Sequence, residues 1–172
     1  MQRVVNWMQG GDRAAFQLLN RSAKNTITDT VMPLITNLGG AIWSVVISLI
    51  LLLSRDVIVI KMGERLALSL LISHLVVRLG KKFFPRLRPY LALDDVNVGR
   101  KMYKDPSFPS GHSTAAFCTA TVFSSVFPAL SVIFFTAAAL VALSRVYLGM
   151  HYPSDITIGA AIGIIAAQFI VL

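Results

Sequence analysis

Two histidines, one carboxylate and three cations recur in this sequence at spacings that suit phosphoryl transfer. The most suggestive set is Ser144-Arg145, five residues, His151, three residues, Asp155. Pro153 can start a helix, which puts Asp155 in its first turn, where it can reach back to one ring nitrogen of His151. A carboxylate so placed fixes the tautomer and leaves the other nitrogen free to attack. The competing account of the same residues is a polar interhelical turn whose His and Asp merely bond each other. A second set is Pro109-Ser110-Gly111-His112. Ser110 suits an N-cap, and the amides of the next turn, with Gly111 letting an anion approach closely, make a phosphate site. Taken alone it could equally be a capped helix with an incidental histidine. The third set is Lys81, six residues, then Arg88-Pro89, which alone reads equally well as basic residues snorkelling to lipid headgroups. Phosphoryl transfer needs little beyond positioning and charge stabilisation, so Lys81, Arg88 and Arg145 around a nitrogen nucleophile form a workable kit.

These residues need a scaffold, and the composition says which kind. The chain has 172 residues, enough for one domain. It is 55% hydrophobic and only 14% charged, against roughly a quarter charged in a soluble domain. Lipid is therefore the expected solvent. Five stretches are apolar enough to be read as bilayer spans: about Val31 to Leu53, Leu66 to Phe84, Gly111 to Phe127, Leu130 to Tyr147 and Ile156 to Leu172. The expected class is all-α, a polytopic membrane helix bundle of about five transmembrane helices. The stretch from about Val4 to Lys24 mixes Trp7, Phe16, Leu18 and Leu19 with Arg3, Asp12, Arg13 and Arg21. It is too polar to span and reads as an interfacial helix over 1–25, with no signal-peptide pattern. Five alternating spans bring the end of the second, the start of the third, the end of the fourth and the start of the fifth to one face. That face carries all three sets, together with the loop from Pro85 to Pro109. Ionisable groups gathered on a membrane bundle are costly and usually functional.

KxxxxxxRP, PSGH and SRxxxxxHxxxD, in that order, resemble the three signature motifs of the type 2 phosphatidic acid phosphatase superfamily, and every specified position is present. The motif region covers 81–155 of a single membrane-embedded phosphatase domain, 1–172. The resemblance implies that His151 attacks phosphorus to give a phosphohistidine, that Asp155 orients it, and that His112 protonates the leaving oxygen and later activates water. It implies that Lys81, Arg88, Ser110, the Gly111 amide and Arg145 hold the phosphoryl oxygens, with Pro89, Pro109 and Ser144 in supporting positions. No metal and no other cofactor is implied.

The small size and the five-span plan also resemble the bacterial undecaprenyl-diphosphate phosphatases of this superfamily, which makes undecaprenyl diphosphate the expected substrate and cell-wall lipid recycling the expected setting. Phosphatidylglycerophosphate or phosphatidic acid is the alternative. A different class is a non-catalytic phospholipid-binding or transport component; His112, His151 and Asp155 argue against it, since a binder needs cations but no oriented nucleophile. The expected partner is a membrane lipid. The net charge of +8 clusters at membrane edges, which argues against nucleic acid. The expected location is the bacterial plasma membrane, multi-pass. Most Lys and Arg residues lie on the motif face, against Arg55, Lys61 and Arg65 on the other, so the positive-inside rule turns that face to the cytoplasm, whereas the resemblance turns it outward. The extracytoplasmic assignment follows the resemblance.

Four smaller expectations complete the reading. Cys118, the single cysteine, permits no internal disulfide. Gly159 and Gly163 form a small-xxx-small pair for close helix packing. His74 matches no motif and reads as a hydrogen-bonded structural residue. Asp94, Asp95 and Asp105 read as a solvated acidic loop balancing Arg100, Lys101 and Lys104.

Overall fold

The computed structural model describes residues 2–22, 24–99 and 102–171, with the side chains of 2–9 and 22 left aside. Arg3, Trp7, Arg100 and Lys101 thus fall outside the described side chains. Among the described residues all regular structure is helical: α1 (Gln2–Ser22), α2 (Thr26–Asn37), α3 (Ala41–Leu52), α4 (Val57–Phe83), the short α5 (Pro89–Ala92), α6 (Gly111–Val126), α7 (Ser131–Tyr147) and α8 (Pro153–Val171). A single 3-10 turn, Pro128–Leu130, leads into α7. The all-α membrane bundle is therefore present, and two of its details differ from the sequence reading.

The first expected span is two helices, α2 and α3, bent by 50° where they meet. The break falls at Leu38–Gly40, and Gly40 caps α3 with extended backbone and no side-chain bond. A Cβ on Gly39 would sit 2.5 Å from Val141 Cγ1 and 2.8 Å from the His112 carbonyl oxygen. The elbow therefore presses directly on the start of α6. Helix α4 begins well before Leu66, because Asp56 accepts from the amides of Ile58 and Val59 and so caps it at Val57. Lys61, Glu64 and Arg65 lower the hydropathy of this first half without breaking the helix. The stretch Pro128–Tyr147 and α8 are each long and apolar enough to cross a membrane, and α2 with α3 makes a third crossing if the bent pair counts as one.

Helix α6 stands at the centre, packed most extensively on α8 and α7. Its inner face is small: Ala116, Cys118, Ala120 and Val122 are buried. Met62 and Leu66 of α4 and Ala167 of α8 pack on Cys118 and Val122, while Ala138 and Val141 of α7 pack on Ala116 and Ala120. In lipid there is little hydrophobic drive between helices, so cohesion comes from close van der Waals packing that small residues permit. A Cβ on Gly163 would lie 2.2 Å from the Thr114 carbonyl oxygen and 2.9 Å from the Cys118 nitrogen; one on Gly159 would lie 2.6 Å from the Ser110 carbonyl oxygen. The pair thus does what its spacing suggests. Both obstacles are backbone and cannot swing away. Gly163→Ala is accordingly expected to destabilise the purified protein by about 1–3 kcal/mol, the usual cost of overpacking, read as a lowered thermal midpoint in detergent; an unchanged midpoint would contradict this packing.

Helix α1 docks on the bundle through Phe16, which joins Ala142, Val146, Tyr152 and Ile156. Buried Asn20 donates to the carbonyl oxygens of Asn97, Val146 and Tyr147 and accepts from the Asn97 amide. These bonds satisfy α7 carbonyls that its end leaves without helical partners. The chain then turns at Gly149, whose φ of +72° suits glycine. A Cβ there would also strike the Asn97 carbonyl oxygen at 2.8 Å.

Candidate active site

The end of α4, the start of α6, the end of α7 and the start of α8 meet at one end of the bundle, joined by the segment from Phe84 to Ser110. All three residue sets converge there. His151 lies between α7 and α8 and is 2% exposed. Its Nε2 is 3.3 Å from Arg88 Nη1. A guanidinium can only donate, so the nitrogen facing it is the unprotonated one. The other nitrogen, Nδ1, faces Asp155 Oδ2 at 3.6 Å, across i,i+4. That is a close approach just beyond hydrogen-bond length, and Nδ1 has no other partner among the described residues. The ring is thus held in the tautomer in which Nε2 carries the free lone pair.

Asp155 sits fully buried in the first turn of α8. Its Oδ2 accepts from the Tyr152 amide at 2.9 Å and its Oδ1 from Arg86 Nη1 at 2.8 Å. Its own carbonyl oxygen accepts from the Ser110 amide at 3.1 Å, which locks the start of α8 to the start of α6.

Ser110 is the N-cap of α6; its Oγ accepts from the Ser113 hydroxyl at 3.0 Å and, at 3.4 Å, from the Ser113 amide. The next two amides, of Gly111 and His112, make no hydrogen bond among the described residues. They are the free donors that a helix N-terminus offers an anion. A Cβ on Gly111 would meet only Val77, at 3.8 Å. Packing therefore leaves the approach to these amides open.

The cations are distributed around this point. Arg88, the N-cap of α5 and 3% exposed, donates to Asp105 Oδ1 and the Asp105 carbonyl, each at 2.9 Å, and to the Met150 carbonyl at 3.1 Å. Lys81, in the last turn of α4, reaches Asp105 Oδ2 at 2.6 Å and the Pro106 carbonyl at 2.5 Å. Arg145 is buried; its Nη1 donates to Thr36 Oγ1 at 2.8 Å, while its Nε has no partner among the described residues. The faces of Arg88 and Arg145 lie 5.1 and 5.5 Å from the Tyr103 ring centroid, within cation–π range.

Of the supporting residues, Pro89 and Pro109 are fully buried, and Ser144 Oγ donates back to the Val141 carbonyl at 2.6 Å.

Two sequence expectations change here. Asp105 is not part of a solvated loop balance: its carboxylate bridges Lys81 and Arg88. Burial pushes this carboxyl up, but the two cations outweigh it and hold it below the usual carboxylate range. It therefore stays ionised between these two cations. His74 is exposed on α4 and makes no hydrogen bond among the described residues, so it is not the bonded structural residue expected. Asp95 does pair at the surface, with Arg21 at 3.5 Å.

His112 opens onto a cavity of about 450 Å³ between the α2–α3 elbow and the end of α7. Thr36, Asn37, Tyr103, His112 and Arg145 give it a polar lining, while Leu34, Ile42, Trp43, Leu148 and Met150 give it an apolar one. A cavity of mixed lining beside buried cations fits an amphiphile with a charged head.

The surroundings of His151 also shift its titration. Burial is the strongest influence and drives its pKa down, Asp155 raises it, and Arg145 and Arg88 lower it again, leaving it at about 4. The ring is therefore neutral throughout the range above that value. The acidic limb of kcat/KM is expected near pH 4, well below the ordinary histidine value. A limb near 6.5 assigned to His151 would contradict this environment.

The PAP2 superfamily model matches residues 64–172, and the chain belongs to that superfamily. It is 35% identical over 155 residues to the putative undecaprenyl-diphosphatase YbjG of Escherichia coli K12, covering 86% of this chain and 69% of that protein. The crystal structure of Aquifex aeolicus LpxE superposes with a TM-score of 0.79 at 30% identity, covering 90% of this chain and 91% of that one. A transmembrane PAP2 type phosphatidylglycerolphosphate phosphatase from Bacillus subtilis superposes with a TM-score of 0.78 at 26% identity, covering 96% and 85%. Three lipid A 1-phosphatases, from Rhizobium etli, Porphyromonas gingivalis and Rhizobium johnstonii, are also similar, and the chain spans 64%, 21% and 23% of their respective lengths.

Proposed function

We propose that this protein is an integral-membrane lipid phosphatase that works through a phosphohistidine on His151 and needs no metal. The observation that carries the proposal is the line Asp155, His151, Arg88: a carboxylate on one side of the ring and a buried guanidinium 3.3 Å from the free nitrogen on the other. A phosphoryl group bound by Arg88 would lie against the nucleophile.

In the first step the Nε2 lone pair of His151 forms a bond to phosphorus while the bond to the leaving oxygen breaks. That oxygen keeps the electron pair and takes a proton from His112, which must be in its charged form, favoured once the negative phosphate is bound beside it. Lys81, Arg88, Arg145, the Ser110 hydroxyl and the Gly111 amide hold the remaining oxygens, after the phosphate displaces Asp105 from the cations. In the second step His112 takes a proton from water as the water oxygen attacks phosphorus. The phosphorus–nitrogen bond breaks, its electron pair returns to His151, and orthophosphate leaves. Three fixed cations, the Ser110 hydroxyl and the Gly111 amide supply the charge stabilisation, so phosphate release is expected to persist in EDTA.

The favoured substrate is undecaprenyl diphosphate, supported by the likeness to YbjG over most of both chains. A second reading, phosphatidylglycerophosphate, rests on the Bacillus subtilis structure. Phosphatidic acid belongs to the same reading, and the lipid A 1-phosphatases add lipid A to the panel. The deciding experiment is phosphate release from these four lipids by the purified protein in detergent with EDTA present. Fastest release from undecaprenyl diphosphate supports the favoured reading, and fastest release from another lipid replaces it. Tight binding of all four without release would favour a lipid-binding component instead.

We place the active-site face outside the plasma membrane. Asn97 bonds Asn20 and Tyr147, so a reporter belongs elsewhere on the loop. Met102 is 70% exposed, and Cys118 is fully buried. A Met102→Cys variant is expected to react with an impermeant maleimide in intact cells; reaction only after lysis would reverse the placement.

A further inference from the structure

Arg86 fills an unspecified position inside KxxxxxxRP, yet among the described residues it makes the closest side-chain contact to Asp155. Its Nη1 donates to Asp155 Oδ1 and to Ser154 Oγ, each at 2.8 Å, and its Nη2 donates to Asp12 Oδ2 at 2.6 Å. Asp12 lies on α1, outside the segment that the superfamily model matches. Its carboxylate also accepts from the Ser154 amide at 2.9 Å and the Ser154 hydroxyl at 2.6 Å, so it caps the first turn of α8. The guanidinium carbon lies over the Tyr152 ring, 3.8 Å from its centroid. Tyr152 in turn supplies the amide that holds Asp155 Oδ2.

Both oxygens of Asp155 are therefore held by donors other than the nucleophile, Oδ1 by Arg86 and Oδ2 by the Tyr152 amide. We propose that Arg86 and Asp12 are positioning residues for the His151–Asp155 pair, and that α1 sets the aim of the catalytic carboxylate through Arg86. The inference rests on the histidine mechanism proposed above. A pair that only tethered α1 would have no need of a third partner, whereas Arg86 spends one nitrogen on a carboxylate that is wholly buried. The bond to Oδ1 keeps Oδ2 turned toward Nδ1. Loss of Arg86 would leave that buried carboxylate a donor short and held by the Tyr152 amide alone, and small misplacements of this kind cost about 100-fold in rate.

The test compares wild type with Arg86→Gln, Arg86→Lys, Asp12→Asn, the Asp12→Asn/Arg86→Gln double variant and His151→Ala. Phosphate release is measured from whichever of undecaprenyl diphosphate, phosphatidylglycerophosphate, phosphatidic acid and lipid A the wild type cleaves fastest, beside a thermal midpoint for each variant. Arg86→Gln is expected to lower kcat about 30- to 100-fold with KM within about threefold, and to slow phosphoenzyme formation in a single turnover by the same factor. Arg86→Lys should recover most of the rate, because a cation returns. Asp12→Asn should lose about tenfold, and the double variant should be no slower than Arg86→Gln alone, since Asp12 acts through Arg86.

A kcat within threefold of wild type for both single variants, with only the thermal midpoint lowered, would reduce the pair to a tether and overturn the inference. So would effects of the two substitutions that multiply. If Arg86→Gln does not fold, Asp12→Asn and Arg86→Lys carry the same comparison. Substantial release by His151→Ala would instead sink the histidine mechanism, which separates the two failures. No release by wild type from any of the four lipids would remove the reaction and the inference with it.

Discussion

His151→Ala is expected to lose at least about 10⁴-fold in kcat while KM stays within a few-fold of wild type. Loss of a nucleophile typically costs this much or more, because the remaining site can still bind but has no group to form the covalent intermediate. No other histidine is placed to substitute. His112 faces the cavity rather than Asp155, and His74 is exposed on α4. The cations would be untouched, so orthophosphate should inhibit the variant's residual activity as well as it inhibits wild type. Steady-state kinetics in detergent checks both statements. Residual kcat within tenfold of wild type would mean that water attacks the substrate directly.

The second large effect belongs to Arg88. This one side chain contacts the Asp105 carboxylate and carbonyl, the Met150 carbonyl and the face of His151 Nε2. Arg88→Ala is expected to lower kcat/KM by about 10³-fold, the scale on which a preorganised charge donor at a developing oxyanion acts. Arg88→Lys should still lose about 10²-fold, since an ammonium cannot reproduce the fork that spans His151 and Asp105 at once. Lys81→Ala is expected to lose less, because Lys81 is the more exposed member of the pair that holds Asp105. Kinetics of the three variants, compared at matched thermal stability, gives the order. Full activity of Arg88→Lys would show that bulk positive charge suffices.

The distribution of what the sequence made legible follows the range of the interactions. His151 and Asp155 are four residues apart on either side of a helix start, and the helix geometry alone brings them together. Ser110 caps α6 for an equally local reason, and Gly159 and Gly163 announce their packing by spacing. The α2–α3 elbow was only hinted at. Gly39 and Gly40 interrupt the hydropathy, but the 50° bend packs against Val141 and the His112 backbone, about a hundred and about seventy residues further along the chain.

Asp105 and Arg86 show the limit more sharply. Asp105 looked like one acid among loop charges because its partners, Lys81 and Arg88, lie 24 and 17 residues back. Arg86 stands two residues before Arg88 in an extended stretch, which can turn both side chains inward only once the loop has its shape. Its bond to Asp12 crosses 74 residues, a pairing that no periodicity encodes. The signal that was available is modest: a second arginine in KKFFPRLRP, and an aspartate on the inner side of an otherwise basic amphipathic helix.

The most direct test of the phosphohistidine is a rapid acid-free quench of the protein with a lipid substrate labelled with ³²P in the phosphate to be released, followed by peptide mapping. The mechanism predicts a phosphoenzyme that survives base, is lost in acid, maps to the peptide carrying His151 and is absent from His151→Ala. Steady phosphate release by wild type with no base-stable label at any time point, or label that persists in His151→Ala, would contradict it.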